Sequence, residues 1–244
     1  MSNFITKNIP NTLTCCNLIS GCIATSYAFA ADARMALVWI IIGAVFDFYD
    51  GMSARLLHVS SPIGKELDSL ADDITFGVAP STILFSELAI AEYPDLLTPY
   101  RDIIPYAAFI MAAFSALRLA KFNLDTRQTT SFIGMPTPAN ALFWGSLIAS
   151  RPWECLGSLP AGVIAFALIV LMIVSSLLLV SELPMFALKF KQWAWKGNEI
   201  RYGFILASAA FICIFGFIQS FWMITLLYIV ISVINNWRQA HRAA

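Results

Sequence analysis

The sequence predicts an all-α integral membrane protein with about eight transmembrane helices, forming a single membrane domain over residues 1–244. Hydrophobic residues make up 59% of the chain and charged residues only 12%, whereas a soluble domain averages about 25% charged residues. Apolar segments of the length that a membrane helix needs, about 20 residues, recur along the chain. The formal net charge is zero, which argues against nucleic acid as a partner.

The apolar segments predict eight helices. They lie roughly at residues 12–31, 35–57, 64–92, 102–122, 136–151, 160–181, 202–218 and 221–237. The third is long for a single span, and Pro80 is expected to kink or break it. The fifth is short and begins at two prolines, Pro136 and Pro138. We expect six helices over about 10–181 to form a core, with two further helices over about 202–237.

Basic residues orient the predicted helices. With eight crossings, twelve of the fifteen lysines and arginines fall on the side of the amino terminus. Only Arg34, Arg101 and Arg151 fall on the other side. Because Lys and Arg are enriched in cytoplasmic loops, the pattern predicts that both termini lie in the cytoplasm.

Four aspartates stand near the inner ends of the second and third predicted helices. Asp47 and Asp50 are three residues apart, and Asp68 and Asp72 are four apart, so each pair shares one face of its helix. The short connection over 58–63 makes the two helices antiparallel neighbours, and the four carboxylates are expected to converge near the cytoplasmic surface. Ionisable residues within membrane segments are rare and mark functional sites.

Converging carboxylates repel one another unless cations neutralise them. An oxygen-rich ligand set without thiolates suits magnesium, manganese or calcium, and paired ions of this kind serve in-line displacement at phosphorus. Arg55, on nearly the same helix face as Asp47, is placed to hold a phosphate. Other interpretations of the aspartates stay open at this point: buried ion pairs that only fix helix packing, an aspartate-lined cation transporter, or an Asp-rich prenyltransferase.

The spacing of these residues resembles the signature of the CDP-alcohol phosphotransferase family. The signature covers residues 47–72, and its fixed positions here are Asp47, Asp50, Gly51, Ala54, Arg55, Gly64, Asp68 and Asp72. The resemblance implies a helical bundle with a cytoplasm-facing active site and two divalent ions, Mg²⁺ or Mn²⁺. It implies that the four aspartates are metal ligands and that Asp72 is also the base that deprotonates the acceptor alcohol.

The resemblance also implies a binding site for the CDP-alcohol donor. The residues expected to line it are Gly51, Ala54, Arg55, Gly64 and, by the phosphates, Ser61. Asn11, Thr14 and Asn17 form a polar stripe at three-residue steps on the first helix, and we expect them to contact the donor as well. The amide of Asn17 offers the donor and the acceptor that a pyrimidine edge needs. For Asn11, helix capping is the alternative.

Three further stretches resemble the membrane-type phosphatidylserine synthase branch of the family. They are residues 9–21, 68–80 and 116–123 with 132–139, in which Lys121 and Met135 depart from the usual arginine and leucine. The resemblance implies CDP-diacylglycerol as donor, L-serine as acceptor and CMP as second product, in a homodimer among the lipids of a bacterial-type inner or plasma membrane. Glycerol 3-phosphate and inositol phosphate are the alternative acceptors.

Polar residues at the inner end of the fourth predicted helix are candidates for the acceptor site. Arg118 and Lys121 are three residues apart, and such a cationic pair can hold the carboxylate of serine or the lipid phosphate. The alternative is that both side chains extend to the membrane surface as positive anchors. Asn123 either binds substrate or caps the helix end.

Overall fold

The computed structural model of the chain describes residues 4–59, 61–125, 132–157, 160–186, 195 and 198–243. Within these ranges the only strands are a pair of two residues each, so the predicted all-α class is confirmed. The α-helices in these ranges are α1 (Phe4–Phe29), α2 (Ala33–Leu56), α3 (Pro62–Asp72), α4 (Ala79–Ile90), α5 (Phe109–Leu124), α6 (Thr137–Ser150), α7 (Val163–Val180), α8 (Glu199–Phe215) and α9 (Phe217–Ala243).

Six helical stretches are long and apolar enough to cross a membrane. They are Asn8–Phe29, Ala33–Leu56, Pro62–Ile90, Ile104–Leu124, Val163–Val180 and Phe217–Trp237. The remaining predicted spans correspond to α6, with 14 residues, and α8, with 17. At 1.5 Å per residue, α6 is about 21 Å long, shorter than the hydrocarbon core of about 30 Å. The chain has the helices of a membrane protein, and the count of eight crossings stays a prediction.

The short helix α6 nevertheless runs lengthwise through the bundle. At its start, the N–H of Met135 donates to the carbonyl of Leu178 at the end of α7, at 3.0 Å. At its end, the guanidinium of Arg151 forms an ion pair of 2.7 Å with Glu87 near the end of α4. α6 therefore connects the two ends of the bundle, although it is shorter than a typical span.

The third predicted helix is continuous from Pro62 to Ile90 and does not break at Pro80. A π-helical turn, Asp73–Val78, joins α3 to α4, and Pro80 stands in the first turn of α4. The wider turn accommodates the proline, whose missing N–H would otherwise interrupt the helix. π-helical turns are frequent at functional sites, and this one begins directly after Asp72.

Two glycines allow α1 and α2 to approach the π-helical turn closely. A Cβ atom on Gly21 would lie 2.8 Å from the Cα atom of Thr75, and one on Gly43 would lie 2.6 Å from its Cγ2 atom. Thr75 is fully buried, and its hydroxyl donates to the carbonyl of Asn17 at 3.0 Å. This crossing sets the position of α1 relative to the helices that carry the aspartates.

The first and last helices extend beyond their predicted bounds. α1 begins at Phe4 rather than near residue 12, and α9 continues to Ala243 rather than ending near 237. Hydropathy marks only the apolar part of a helix, whereas backbone hydrogen bonding continues into polar residues outside the hydrocarbon region.

Two short strands fasten the start of α6 to the segment that follows α7. β1 (Phe132–Ile133) pairs antiparallel with β2 (Pro184–Met185), and the N–H of Gly134 donates to the carbonyl of Leu183 at 2.9 Å. Four of the basic residues behind the predicted orientation lie outside the described residues: Arg127, Lys189, Lys191 and Lys196.

Candidate active site

Three of the four predicted metal ligands meet between α2 and α3. Asp47, Asp50 and Asp68 each offer a carboxylate oxygen, and these oxygens lie within 4.8 Å of one another. Asp50 is buried, and Asp68 Oδ1 is buried with no hydrogen-bond partner among the residues that the structure describes. The three- and four-residue spacings and the short connection between the two helices account for this convergence.

The carboxylate cluster of Asp47, Asp50 and Asp68 has the chemistry of a divalent-cation site. Its like charges repel one another at this separation, and no lysine or arginine in the described ranges forms an ion pair with them. Hard cations bind such all-oxygen sets. The unpartnered oxygen of Asp68 is available for this contact, so the cluster fits a bound metal ion.

Asp72 lies beside the carboxylate cluster and has its own hydrogen-bond partner. Its charge interacts with those of Asp47 and Asp68. Asn17 Nδ2 on α1 donates to Asp72 Oδ1 at 3.1 Å, and Asn17 is completely buried. One oxygen of Asp72 is therefore held by a fixed amide.

Thr14 supports a second aspartate from the same helix. Its Oγ1 donates to Asp50 Oδ2 at 2.7 Å, and both side chains are buried. The polar stripe on α1 therefore contacts the aspartates through Thr14 and Asn17. The sequence predicted contacts of these two residues with the donor, which stay a prediction; the structure adds that they orient Asp50 and Asp72.

A cavity of about 270 Å³ opens beside the carboxylate cluster. Six of the residues predicted to bind the donor line it: Asn11, Thr14, Gly51, Ala54, Ser61 and Gly64. Asp50 and Asp68 also stand in its wall. A Cβ atom on Gly51 would meet nothing within 4 Å, so this glycine leaves open space rather than allowing two helices to touch. We refer to this space as the donor cavity.

The start of α3 forms one wall of the donor cavity. Ser61 caps the helix, its Oγ accepting from the N–H of Gly64 at 2.9 Å. A Cβ atom on Gly64 would lie 2.9 Å from Asn11 Oδ1, so a larger residue would force α1 and α3 apart. The N–H groups of a helix amino terminus favour anions, and here they lie at a cavity that Asp50 and Asp68 also line.

Two predicted donor residues do not line the donor cavity. Asn17 is buried behind it, and Arg55 is exposed in the last turn of α2. Lys65, which sequence reasoning missed, lines the cavity instead, and its Nζ donates to the carbonyl of Asn123 at 3.1 Å. The position of Lys65 directly after Gly64 of the signature is the signal that could have identified it.

Arg118 and Lys121 differ in their surroundings. Arg118 is only 7% exposed, its charge interacts with that of Asp72, and its guanidinium carbon lies 5.2 Å from the centre of the Phe122 ring. It is therefore not an anchor at the membrane surface, which was the alternative for it. Lys121 is exposed, and both residues line a small cavity at the end of α5.

Asn123 connects α5 with α3. Its Nδ2 donates to Ser69 Oγ at 2.7 Å, one residue beyond Asp68, and its carbonyl accepts from Lys65. The side chain thus fixes the position of α3 relative to α5. Its contact with a substrate stays a prediction.

Together these features define a membrane-embedded helical bundle with a candidate divalent-cation site beside a cavity. The sequence profile of the CDP-alcohol phosphatidyltransferase family matches residues 7–193. The chain therefore belongs to this family, and the match includes all of the predicted site residues.

Several curated relatives carry the name CDP-diacylglycerol–serine O-phosphatidyltransferase. The Bacillus subtilis relative is 39% identical over 130 residues, which cover 53% of this chain and 69% of the relative. The Helicobacter pylori (strain 26695) relative is 35% identical over 135 residues, 54% of each protein. The Saccharomyces cerevisiae relative is 36% identical over 140 residues, which cover 53% of this chain and 47% of the relative. The matched region thus spans 69% of the first relative and about half of the other two.

Proposed function

We propose that this protein transfers the phosphatidyl group of CDP-diacylglycerol to the hydroxyl of L-serine, giving phosphatidylserine and CMP. The observation that carries the proposal is the carboxylate cluster in the wall of the donor cavity, with Asp72 beside it. The names of the relatives supply the donor and the acceptor. Family membership favours phosphoryl chemistry over the cation transporter and the prenyltransferase that the aspartates alone left open.

The proposed cofactor is a pair of divalent ions, Mg²⁺ or Mn²⁺. The carboxylate cluster and Asp72 would hold them, and Thr14 would keep the carboxylate of Asp50 in place through its hydrogen bond. When bound, such ions neutralise the oxygens of a diphosphate and the charge of the departing group.

Asp72 is the proposed base. Asn17 holds one of its oxygens at 3.1 Å, so the orientation of the carboxylate is fixed. As Asp72 takes the proton of the serine hydroxyl, the hydroxyl oxygen forms a bond to the lipid-side phosphorus. The bond from this phosphorus to the bridging oxygen breaks, and CMP leaves with that oxygen and the electron pair. The rest of the site contributes by positioning both reactants.

The donor cavity is the proposed site of the CDP group. Gly51 and Ala54, with their small side chains, leave space along the α2 side of the cavity. Ser61 and the first turn of α3 face the phosphates. Lys65 adds a cation in the cavity wall. Arg55 lies one turn after Gly51, outside the lining residues, and is the proposed cation at the rim.

The proposed orientation places the donor cavity and both termini in the cytoplasm. Six or eight crossings are both even numbers, and either leaves the termini on one side of the membrane. CMP and serine are soluble and charged, so a cavity that opens to the cytoplasm suits their exchange. A homodimer is proposed from the family resemblance.

The acceptor assay tests this function directly. Purified protein in detergent–lipid micelles receives CDP-diacylglycerol, Mg²⁺ or Mn²⁺, and serine, glycerol 3-phosphate or inositol phosphate separately, and CMP release is measured. We expect release with serine alone. The variant Asp72→Asn is expected to remain folded and to bind both substrates without releasing CMP. Release with another acceptor would refute the choice of serine, and full activity of Asp72→Asn would refute the assignment of the base.

A further inference from the structure

A second cavity lies at the end of α5. It lies between the end of α5, β1 and the end of α7, and its volume, counted as the space that the centre of a water molecule can occupy, is about 60 Å³. One water needs roughly 10–15 Å³ by this measure, so the cavity has room for roughly four to six waters. This size suits a small polar molecule. We refer to this space as the acceptor cavity.

The acceptor cavity carries charged residues of both signs. Arg118 and Lys121 line it from α5, on one face of the helix. Two carboxylates, Asp125 and Glu182, stand in the same lining. Among the residues that the structure describes, the lining thus carries two cations and two carboxylates, and a zwitterionic ligand offers an opposite charge to each kind.

Arg118 links the acceptor cavity to the proposed base. It is buried, it lines the cavity, and its charge interacts with that of Asp72. Arg118 is therefore the residue that connects the acceptor cavity with Asp72. The donor cavity is lined from α1, α2 and α3, so the two cavities would deliver the two reactants from different sides of the aspartates.

We propose that the acceptor cavity binds the amino-acid acceptor as a zwitterion and that Glu182 receives its ammonium group. This inference rests on the proposed function. Glu182 comes after Ser181, the residue that caps α7; it is exposed to solvent and forms no ion pair with any residue that the structure describes. Asp125 is already engaged in another contact. Arg118 and Lys121 then hold the carboxylate, and the hydroxyl points to Asp72.

The acceptor cavity also discriminates against the alternative acceptors. Glycerol 3-phosphate and inositol phosphate carry a doubly charged phosphate and no cationic group. In this cavity their phosphate would lie near two carboxylates, and the ammonium partner of Glu182 would be missing. The mixed charge therefore selects an amino acid through both attraction and repulsion.

The test compares Glu182→Gln with a matched control, Glu66→Gln. Glu66 is an exposed carboxylate on α3 that lines neither cavity. Steady-state CMP release gives kcat and KM for serine and for CDP-diacylglycerol. We expect Glu182→Gln to raise the KM for serine about threefold to fivefold, the effect typical of an ion pair with a solvent-exposed carboxylate. The kcat and the KM for the donor are expected to stay close to wild type. Glu66→Gln should have the wild-type kcat and both wild-type KM values. Glu182→Asp, which keeps the carboxylate, should have a KM for serine closer to wild type than Glu182→Gln has.

A second acceptor separates recognition of the ammonium group from a structural effect. 3-Hydroxypropionate is serine without its amino group. Wild type is expected to have a much lower kcat/KM for 3-hydroxypropionate than for serine. In Glu182→Gln the ratio of these two kcat/KM values is expected to be closer to one. An unchanged KM for serine in Glu182→Gln, or equal use of both acceptors by wild type, would overturn the inference. If wild type releases no CMP with serine, the proposed function itself fails, which is a different result.

Discussion

The hydrogen bond from Thr14 to Asp50 offers a sharp test of the proposed metal site. The variant Thr14→Val keeps the shape of the side chain and removes only its hydroxyl, which lies 2.7 Å from Asp50 Oδ2. Both residues are buried, and valine offers Asp50 no donor in place of the lost hydroxyl. The Asp50 carboxylate would then be less well oriented toward the rest of the cluster.

The expected effect can be estimated from the type of hydrogen bond. A bond to a charged group contributes about 1.5–3 kcal/mol, which corresponds to roughly 10- to 150-fold in an equilibrium constant. Loss of a group that supports a metal ligand typically costs about 10- to 100-fold in metal affinity. We therefore expect Thr14→Val to bind Mn²⁺ at least about tenfold more weakly, as measured by the paramagnetic resonance of free Mn²⁺ in a titration of purified protein.

Thr12 supplies the matched control on the same helix. Its hydroxyl donates to the carbonyl of Asn8 at 2.9 Å and is exposed, so Thr12→Val makes the same chemical change away from the aspartates. This variant should bind Mn²⁺ like wild type. Equal affinities of Thr14→Val and wild type, or equal losses in both variants, would show that Thr14 does not support a metal ligand.

Three further variants test packing and binding around the site. Gly21→Ala places a methyl group 2.8 Å from the Thr75 backbone and is expected to destabilise the protein by about 1–3 kcal/mol. In Gly51→Ala the added methyl group meets nothing within 4 Å, so this variant should keep the wild-type melting temperature in a thermal unfolding assay while raising the KM for the donor. A lower melting temperature for Gly51→Ala than for Gly21→Ala would contradict both roles. Asn123→Leu removes the hydrogen bond to Ser69 and should cost about 1 kcal/mol of stability without changing the KM for serine, whereas a raised KM would make Asn123 an acceptor ligand.

The carboxylate cluster is the part of the site that could be predicted most fully from the sequence. The spacing of Asp47 and Asp50, the spacing of Asp68 and Asp72, and the short connection between them are local features that determine which helix face each side chain occupies. The donor cavity followed from the same stretch, because most of its lining belongs to the signature.

The contacts of α1 could not be predicted in the same way. Asn17 and Asp72 are 55 residues apart, and their hydrogen bond depends on how α1 crosses α2 and the π-helical turn. That crossing depends in turn on Gly21, Gly43 and the buried Thr75. Polar spacing on α1 indicated a functional face, but only tertiary packing shows that this face contacts the aspartates.

Isolated charged residues were the second part of the site that could not be predicted from the sequence. Lys65 occupies a variable position of the signature and Glu182 belongs to no motif, and the importance of each depends on which cavity it lines. The π-helical turn was missed because no apolar period distinguishes it from the α-helices on either side. Hydropathy likewise located the helices but not their polar ends, so α1 and α9 are longer than predicted.

The central claim is that the carboxylate cluster, together with a divalent cation, carries out phosphatidyl transfer to serine. The most direct measurement is phosphatidylserine formation from CDP-diacylglycerol and isotope-labelled serine, followed as Mg²⁺ or Mn²⁺ is returned to chelated protein. We predict that chelated wild type is inactive and recovers with added ion, and that folded Asp68→Asn stays inactive at every ion concentration. Full activity of the chelated protein, or wild-type activity of Asp68→Asn, would contradict the claim.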